Sequence, residues 1–488
     1  MTMKPLLFLL CSILVMPLAS PAAERPHIVL VMADDMGWGQ TGYRGHPVLR
    51  TPHLDAMAAS GLRFERFYAG NPVCSPTRAA VLTGRTNDRS GVLNHGYALR
   101  PQEKTLAQAL KAAGYATGHF GKWHLNGFKG PGAPVLEGDP RGPAAFGFDE
   151  YVSATNFIDR DPLLGRNGKP EKFTGDSSEI IVTEALRFIE KQHAAKKPTF
   201  TVVWYGTPHS PFRAGQADKE PFQHLPAASA DHHGELVAMD RSIGTLRARL
   251  RELGIAENTL LVFNSDNGGL PEITPGTTGG LRGHKGSVFE GGLRVPGVME
   301  WPAVIKPRIT GHPACVTDLL PTIADYLELP KEAFPHPLDG VSLRPLFSGE
   351  IGPRKAPIGF RYDSKAAFIV DRYKLVTQNH AKSVFELYDL EVDPKETTDL
   401  AASRPELFAE MKQRFQAWNS SVQASFEGKD YAEGKVTPSD PVSINWFDAP
   451  AYKPWLAEWS GYWAYQTYFD RAGNPVPKGK GKGGKAKK

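Results

Sequence analysis

The chain has little cysteine: its 488 residues include only Cys11, Cys74 and Cys315. So few cysteines exclude a small fold that disulfides hold together, and stability must come from a hydrophobic core. With 41% hydrophobic and 22% charged residues, a chain of this length can bury such a core. We expect Cys315, which precedes an apolar stretch, to be a small buried core residue.

The sequence also lacks an apolar run long enough to span a membrane. The N-terminal candidate is apolar only over residues 6–18, after a single early positive charge at Lys4, whereas a spanning helix needs about 20 apolar residues. Small residues follow at 19–23, as before a cleavage site. We therefore expect a signal peptide at residues 1–23, no integral membrane span and an exported protein, periplasmic or secreted. A retained N-terminal anchor is the alternative.

The folded part of the chain has no excess of positive charge. The net charge is +5, but residues 478–488 contain six lysines and Lys4 adds another, which leaves a net charge near −2 on the rest. This balance excludes a basic nucleic-acid-binding protein, so we expect no nucleic-acid partner. Residues 478–488 contain too little apolar surface to fold and are interpreted as a disordered Lys/Gly tail.

Short apolar runs alternate with helical patterns along residues 24–352, the predicted N-terminal domain. The alternation predicts the α/β class, with a large, mostly parallel sheet flanked by helices. The predicted strands are residues 27–33, 115–121, 199–206, 259–265 and 295–301. The predicted helices are residues 51–60, 76–83, 105–113, 177–192, 233–253 and 317–329.

The pattern changes after residue 352. Strand patterns at residues 358–362, 366–377 and 385–390 precede a helical pattern at 405–420. They predict a smaller C-terminal subdomain, residues 353–430, of antiparallel sheet plus one helix. An aromatic and Pro-rich extension follows at residues 431–477. Its tryptophans are expected to cover the edge of the sheet, with stacking on sugar rings as the alternative; they are Trp446, Trp455, Trp459 and Trp463.

Oxygen-bearing side chains follow two predicted strands. Asp34 and Asp35 come directly after the first strand, and Asp266 and Asn267 come after the strand at 259–265. Ligands of an open parallel sheet bind at the carboxyl ends of its strands. Carboxylate and amide oxygens suit a hard cation such as Ca²⁺ or Mg²⁺, whereas zinc prefers N and S ligands. One Asp pair alone is as often a cap or a solvated turn, but the second pair favours a metal site.

Basic side chains are expected at the same edge of the sheet. Lys122 and His124 follow one predicted strand, His209 follows another, and Lys285 lies in a Gly-His-Lys-Gly loop. Each alone is more often a surface lysine or a structural histidine. Their joint position after successive strands favours a shared functional site.

The most informative motif surrounds Cys74, with Pro76 two residues on and Arg78 four residues on. Ser75 is a good N-cap and Pro76 suits the first helical position, so we expect Cys74 just before a helix N-terminus, where anions bind. Arg78 returns one turn later toward the same place. An ordinary buried cysteine is the alternative.

This Cys-x-Pro-x-Arg string, followed by Leu-Thr-Gly-Arg at residues 82–85, resembles the signature of the type I sulfatases. These are formylglycine-dependent, arylsulfatase-like members of the alkaline phosphatase superfamily. The resemblance covers residues 28–400 and implies a sulfuric ester hydrolase whose Cys74 is oxidised to formylglycine by a maturation enzyme. It also implies a Ca²⁺ site, with Mg²⁺ as the fallback; the expected ligands are Asp34, Asp35, Cys74, Asp266 and Asn267.

The resemblance further implies roles for the basic residues. Hydrated formylglycine would attack sulfur while Arg78, Lys122 and Lys285 bind the sulfate oxygens. His209 would protonate the leaving alcohol, assisted by Lys285, and His124 would take the proton whose loss releases sulfate. The expected catalytic residues are thus Cys74, Arg78, Lys122, His124, His209 and Lys285.

Substrate selection depends on loops. General similarity to bacterial glycan sulfatases implies a sulfated carbohydrate as substrate, of the galactose or N-acetylgalactosamine sulfate type. Candidate substrate-binding residues are Trp38, His95 and Arg213. Two alternatives stay open: a phosphonate or phosphate ester hydrolase of the same superfamily, and a non-catalytic protein that binds sulfated glycans.

Overall fold

The computed structural model describes residues 25–382 and 384–469. Its strands are β1 (His27–Ala33), β2 (Leu62–Phe64), β3 (Phe67–Tyr68), β4 (Ala116–Lys122), β5 (Phe128–Lys129), β6 (Glu150–Ala154), β7 (Leu163–Arg166), β8 (Lys169–Lys172), β9 (Thr199–Trp204), β10 (Thr259–Ser265), β11 (Arg294–Val295), β12 (Gly297–Glu300), β13 (Arg308–Thr310), β14 (Ala314–Cys315), β15 (Ile358–Tyr362), β16 (Lys365–Val370), β17 (Tyr373–Thr377), β18 (Glu386–Asp389) and β19 (Ile444–Asn445). Its α-helices are α1 (Pro52–Ser60), α2 (Cys74–Thr83), α3 (Asn87–Ser90), α4 (Leu106–Ala112), α5 (Ser177–Ala194), α6 (Gln216–Lys219), α7 (Ala227–Glu252), α8 (Glu290–Leu293), α9 (Leu319–Tyr326), α10 (Pro345–Ser348), α11 (Pro405–Phe426) and α12 (Leu456–Trp459).

A ten-stranded sheet forms the centre of the described structure, in the order β13-β2-β12-β10-β1-β9-β4-β6-β7-β8. Its central strands, from β10 to β6, are parallel. The strands β12, β7 and β8 pair antiparallel with their neighbours nearer the centre. The predicted large, mostly parallel sheet is therefore confirmed, and the carboxyl ends of its parallel strands lie along one edge.

The central sheet is buried on both faces, as a parallel sheet flanked by helices must be. All seven residues of β1 are buried. Because side chains alternate along a strand, Ile28 and Leu30 join one hydrophobic cluster with residues of α2, α4 and α9. Val29 and Val31 join the other cluster with residues of α1, α5 and α7. The strands that end at the site therefore lie between two rigid layers.

Two strand predictions differ from the structure. Pro296 separates β11 from β12 in the predicted strand 295–301, and β12 pairs antiparallel with β10. The predicted strand 366–377 is a hairpin of β16 and β17, because Asp371 adopts a left-handed φ of 52° and reverses the chain. The smaller antiparallel sheet, β15-β16-β17-β18, is confirmed, and Met411 and Phe415 of α11 pack against it.

The C-terminal aromatic residues pack against the rest of the molecule. Trp446 and Trp459 are fully buried in a cluster with Leu136 and with Leu163 of β7. The Trp446 indole N–H also donates to the Pro131 carbonyl over 2.8 Å. The expected packing role is confirmed for these two tryptophans.

Several sequence predictions concern residues beyond the described ranges. The signal peptide (1–23) and the tail (478–488) lie outside the described residues, as does the end of the aromatic extension. Within residues 25–382 and 384–469, no helix has both the length and the apolar character needed to cross a bilayer. The domain boundaries stay predictions.

Candidate active site

The two pairs of predicted metal ligands meet where β1 and β10 end side by side. Asp34, Asp35, Asp266 and Asn267 are all completely or almost completely buried. The Asp35 N–H donates to Asp266 Oδ1 over 3.0 Å, and Asn267 Nδ2 donates to Asp35 Oδ1 over 2.7 Å. Asp35 adopts a left-handed φ of 67°, a conformation costly for a non-glycine residue, as is common at functional sites.

Each of the three carboxylates faces a cation. Lys122 Nζ donates to Asp34 Oδ2 over 2.6 Å, and Lys285 Nζ donates to Asp35 Oδ2 over 2.7 Å. Arg78, from α2, donates to Asp266 Oδ2 over 2.7 Å. Buried charges persist only when they are paired in this way. The predicted anion-binding and metal-binding residues thus belong to one interlocked cluster.

The cluster fits a divalent cation. Asp34 Oδ1 and Asn267 Oδ1 are buried oxygens without hydrogen-bond partners. Burial and the negative charge of Asp34 raise the pKa of Asp266 to about 7, although Arg78 acts in the opposite direction. A cation bound among these groups would coordinate the unpaired buried oxygens and would favour the ionised form of the Asp266 carboxyl. Four oxygen-bearing side chains suit Ca²⁺ or Mg²⁺.

Helix α2 begins at Cys74, whose side chain is buried. The prediction that Ser75 caps this helix is wrong: Val73 is the N-cap, and Ser75 is the second helical residue, whose Oγ accepts the Gly96 N–H over 2.9 Å. The helix therefore starts two residues before Pro76. Cys74 Sγ lies 3.3 Å from His124 Nδ1. The ligand atoms of Cys74, Asp34 and Asp266 all lie within 4.8 Å of one another.

The Cys74 thiol is not activated as a nucleophile. Burial raises its pKa, and the nearby positive charges of Lys122 and Lys285 do not overcome this effect. A protonated, buried thiol is a poor nucleophile and a poor metal ligand. At neutral pH the unmodified Cys74 side chain is therefore a thiol rather than a thiolate.

The two predicted site histidines occupy different environments. His124 is buried and has a left-handed φ of 56°, and burial together with Lys122 lowers its pKa well below the usual value. The His209 ring stacks on Phe157, with centroids 5.0 Å apart, and its Nε2 lies 3.8 Å from Asp35 Oδ2. Burial and the charge of Lys285 lower the pKa of His209 to about 4. Both imidazoles are thus neutral in the free protein at neutral pH.

The first candidate substrate residue, Trp38, lies between two arginines. The guanidinium groups of Arg44 and Arg294 lie 4.2 and 4.7 Å from the centroid of its ring. Its indole N–H donates to the Glu65 carbonyl over 3.3 Å. These contacts account for the ring without a ligand.

The other two candidate substrate residues are His95, which is near the two site lysines, and Arg213, which has an unpaired hydrogen-bond donor. His95 is exposed, and partial burial with the positive charges of Lys285 and Lys122 lowers its pKa. The Arg213 guanidinium lies 3.9 Å from the centroid of the Trp463 ring, and its Nη1 is buried without a partner.

Sequence reasoning missed two aromatic residues of the site. Phe157 stacks on His209. The ring of Trp204, at the end of β9, faces the Arg78 guanidinium, with 5.2 Å between the ring centroid and the guanidinium carbon. Phe157 has no motif that marks it, because its contact depends on how a loop folds. Trp204 ends the observed strand β9 but lies inside the predicted strand 199–206, so the strand-end rule that selected the other residues did not mark it.

Comparisons with known proteins place the chain among the sulfatases. A family model described as Sulfatase matches residues 26–329, and one described as N-sulphoglucosamine sulphohydrolase, C-terminal, matches residues 284–421. N-acetylgalactosamine-6-sulfatase of Canis lupus familiaris is 32% identical over 73% of this chain and 72% of that protein. Arylsulfatase A of Homo sapiens is 32% identical over 80% of this chain and 87% of its own length. The crystal structure of Ps i-CgsB in complex with k-i-k-neocarrahexaose aligns with a TM-score of 0.72 and 27% identity, over 81% of this chain and 92% of that one.

The fold, the paired charges at the sheet edge and these relatives together define a sulfuric ester hydrolase. The chain belongs to the sulfatase family.

Proposed function

We propose that the protein is an exported, calcium-dependent sulfatase that degrades sulfated glycans through a formylglycine at position 74. The observation that supports this most is the position of Cys74 at the start of α2, 3.3 Å from His124 and within 4.8 Å of carboxylate oxygens. The names of the N-acetylgalactosamine-6-sulfatase relatives support a galactose or N-acetylgalactosamine sulfate. Residues 1–23 would direct export, with Glu24 near the mature N-terminus.

Formylglycine at position 74 would supply, when hydrated, the hydroxyl nucleophile that the inert thiol lacks. His124 is placed to take a proton from residue 74, because its Nδ1 faces that side chain and is neutral in the free protein. Arg78 lies one turn along the same helix and donates to Asp266 Oδ2 over 2.7 Å, and Asp266 is proposed as the base that activates the hydroxyl of residue 74. The protein holds these groups in fixed positions from which water is excluded.

Asp34, Asp35, Asp266 and Asn267 would hold calcium, with magnesium as the fallback. Bound there, the cation would supply positive charge that stabilises the nucleophile and the sulfate oxygens. Lys122 and Lys285 add charge from the protein itself: burial opposes the charged form of Lys285, but Asp35 outweighs burial and raises its pKa. Both lysines are therefore suited to bind an anionic substrate.

The leaving alcohol would receive its proton on the side of His209. The imidazole is only partly covered, with 17% of its side chain exposed, and Lys285 adjoins it through the shared partner Asp35. In the free protein His209 is neutral, but the negative charge of a bound sulfate ester favours its protonation. Arg213, with Nη1 unpaired, is proposed to bind a substrate hydroxyl beside Trp463, and His95 and Trp38 are proposed at the rim.

Replacing His209 with alanine is expected to lower kcat/KM for a sugar sulfate by about 10²- to 10⁴-fold, because an alkoxide leaves poorly without a proton. A nitrophenyl sulfate, whose leaving group departs unprotonated, should lose far less. Steady-state kinetics on both substrates checks this. Equal losses on both would transfer the acid role to Lys285.

The wild-type protein is expected to release sulfate from aryl sulfates and from one or more sulfated galactose or N-acetylgalactosamine saccharides. Parallel assays with phosphate and phosphonate esters of the same alcohol test the proposal directly. A higher kcat/KM for those esters would assign the phosphonate or phosphate hydrolase instead. Tight binding of sulfated saccharides by the matured protein without turnover would assign the glycan-binding protein.

A further inference from the structure

The C-terminal sheet contacts both loops that carry proposed reacting groups. Asn71, three residues before Cys74, donates from its side-chain Nδ2 to the Arg361 carbonyl of β15 over 2.8 Å. Lys365, the first residue of β16, donates from Nζ to the Gly286 carbonyl over 2.8 Å. Gly286 directly follows Lys285. One hairpin of the small sheet thus holds the backbone next to two reacting side chains.

Both ends of the Lys285 loop are tied to this sheet. At the start of the loop, Arg282 Nη1 donates to the Tyr388 hydroxyl over 2.9 Å and to the Glu396 carbonyl over 3.0 Å. At its end, the Gly286 N–H donates to the Pro72 carbonyl over 2.9 Å, while its own carbonyl accepts from Lys365. Gly286 has a left-handed φ of 81°, so the chain turns at this point. Lys365 therefore contacts Gly286, the residue whose N–H links the lysine loop to the nucleophile loop.

Lys365 adds to the contacts that hold the Lys285 backbone, whose N–H also donates to the Gly269 carbonyl over 3.0 Å. The flexible Lys285 side chain loses rotamer entropy when it is fixed, and its Nζ must reach Asp35 Oδ2 at 2.7 Å. The loop around it is irregular, between β10 and α8, and does not gain rigidity from a helix or a strand. A charged donor on the adjacent carbonyl restricts where the Lys285 backbone lies.

We propose that Lys365 is a positioning residue, which acts on the reaction by fixing Lys285 through the Gly286 carbonyl. The inference rests on the proposed function, in which Lys285 binds the sulfate and assists the leaving group. The C-terminal sheet is then an integral part of the active site.

The variant Lys365→Met keeps the aliphatic stem and removes the donor. We expect it to lower kcat/KM for aryl sulfates by roughly 10- to 100-fold, the scale of a misplaced reacting group, with most of the loss in kcat. Lys365→Arg can still donate to the carbonyl and should recover most of the activity. The matched control is Lys382→Met, an exposed lysine between β17 and β18, which should keep wild-type kinetics.

A double-mutant cycle separates positioning from a general structural effect. In a Lys285→Ala background, Lys365→Met should cost less than threefold further activity, because the group that it positions is absent. The same loss in both backgrounds would overturn the proposal. Lys365→Gln repeats the cycle if Lys365→Met does not fold.

A crystal structure of Lys365→Met gives a readout that needs no activity. Displacement of Lys285 Nζ from Asp35 is expected, and an unchanged contact would overturn the inference. If the wild-type protein hydrolyses no sulfate ester, the proposed function fails, but a displaced Lys285 still establishes the positioning role. If wild type is active and Lys285 does not move, only the positioning role fails.

Discussion

Replacing Cys74 with alanine is expected to abolish sulfate ester hydrolysis, with a loss in kcat of about a millionfold, the scale found when a nucleophile is removed. The loss follows because every neighbouring group is arranged around this side chain: His124 lies 3.3 Å away, and the nearby carboxylates of Asp34 and Asp266 share its surroundings. Sulfate release from an aryl sulfate measures the effect. Mass spectrometry of the Cys74 peptide should show formylglycine in active wild-type protein.

The chain provides a matched control in its second described cysteine. Cys315 is also buried, but it lies in β14, and its thiol donates to the Ala69 carbonyl over 3.5 Å. Cys315→Ala should therefore cost stability, about 1 kcal/mol for a small core truncation, and leave kcat unchanged. Active protein whose Cys74 peptide carries only the thiol would contradict the formylglycine proposal, as would turnover by Cys74→Ala at the wild-type rate.

The sequence predicted the central strands well because their signal is local. Residues 27–33 and 259–265 are mostly apolar runs with charged or amide residues directly after them, and the structure begins and ends both strands at these residues. Strand direction is not encoded locally, so nothing in residues 295–301 showed that β12 runs antiparallel. The hairpin within 366–377 was missed because Asp371, not a glycine, takes the left-handed turn conformation.

In the candidate site, too, local patterns predicted some features and missed those that depend on residues distant in the sequence. Strand-end positions brought Asp34, Asp266 and Lys122 into one cluster, because neighbouring parallel strands end together. Ser75 does not cap α2, because the helix begins one residue earlier, and its hydroxyl instead bonds to Gly96, 21 residues away in the sequence. The contact between Lys365 and Gly286 joins residues 79 apart. Interactions across such distances depend on tertiary packing, which no local pattern in one sequence contains.

Removing the proposed metal is the second change expected to have a large effect. Exhaustive chelation should lower kcat at least about a thousandfold, because several kcal/mol of charge stabilisation is lost, and calcium should restore it. Asp34→Asn should prevent this restoration: it keeps the shape of the side chain but removes the negative charge beside Lys122, whose Nζ lies 2.6 Å from Asp34 Oδ2. Kinetics across a calcium titration measures both effects.

Thermal unfolding gives a test of the same site without turnover. A cation that binds the folded state raises Tm in proportion to ln(1 + [L]/Kd), so calcium should stabilise the chelated wild-type protein and the control Asp325→Asn, which changes an exposed aspartate. Asp34→Asn should show a much smaller shift, since the buried and unpartnered Asp34 Oδ1 is part of the proposed ligand set. Full activity in verified metal-free protein would refute the calcium requirement. Equal Tm shifts in wild type and Asp34→Asn would instead remove Asp34 from the ligand set, because the cation would then bind without its charge.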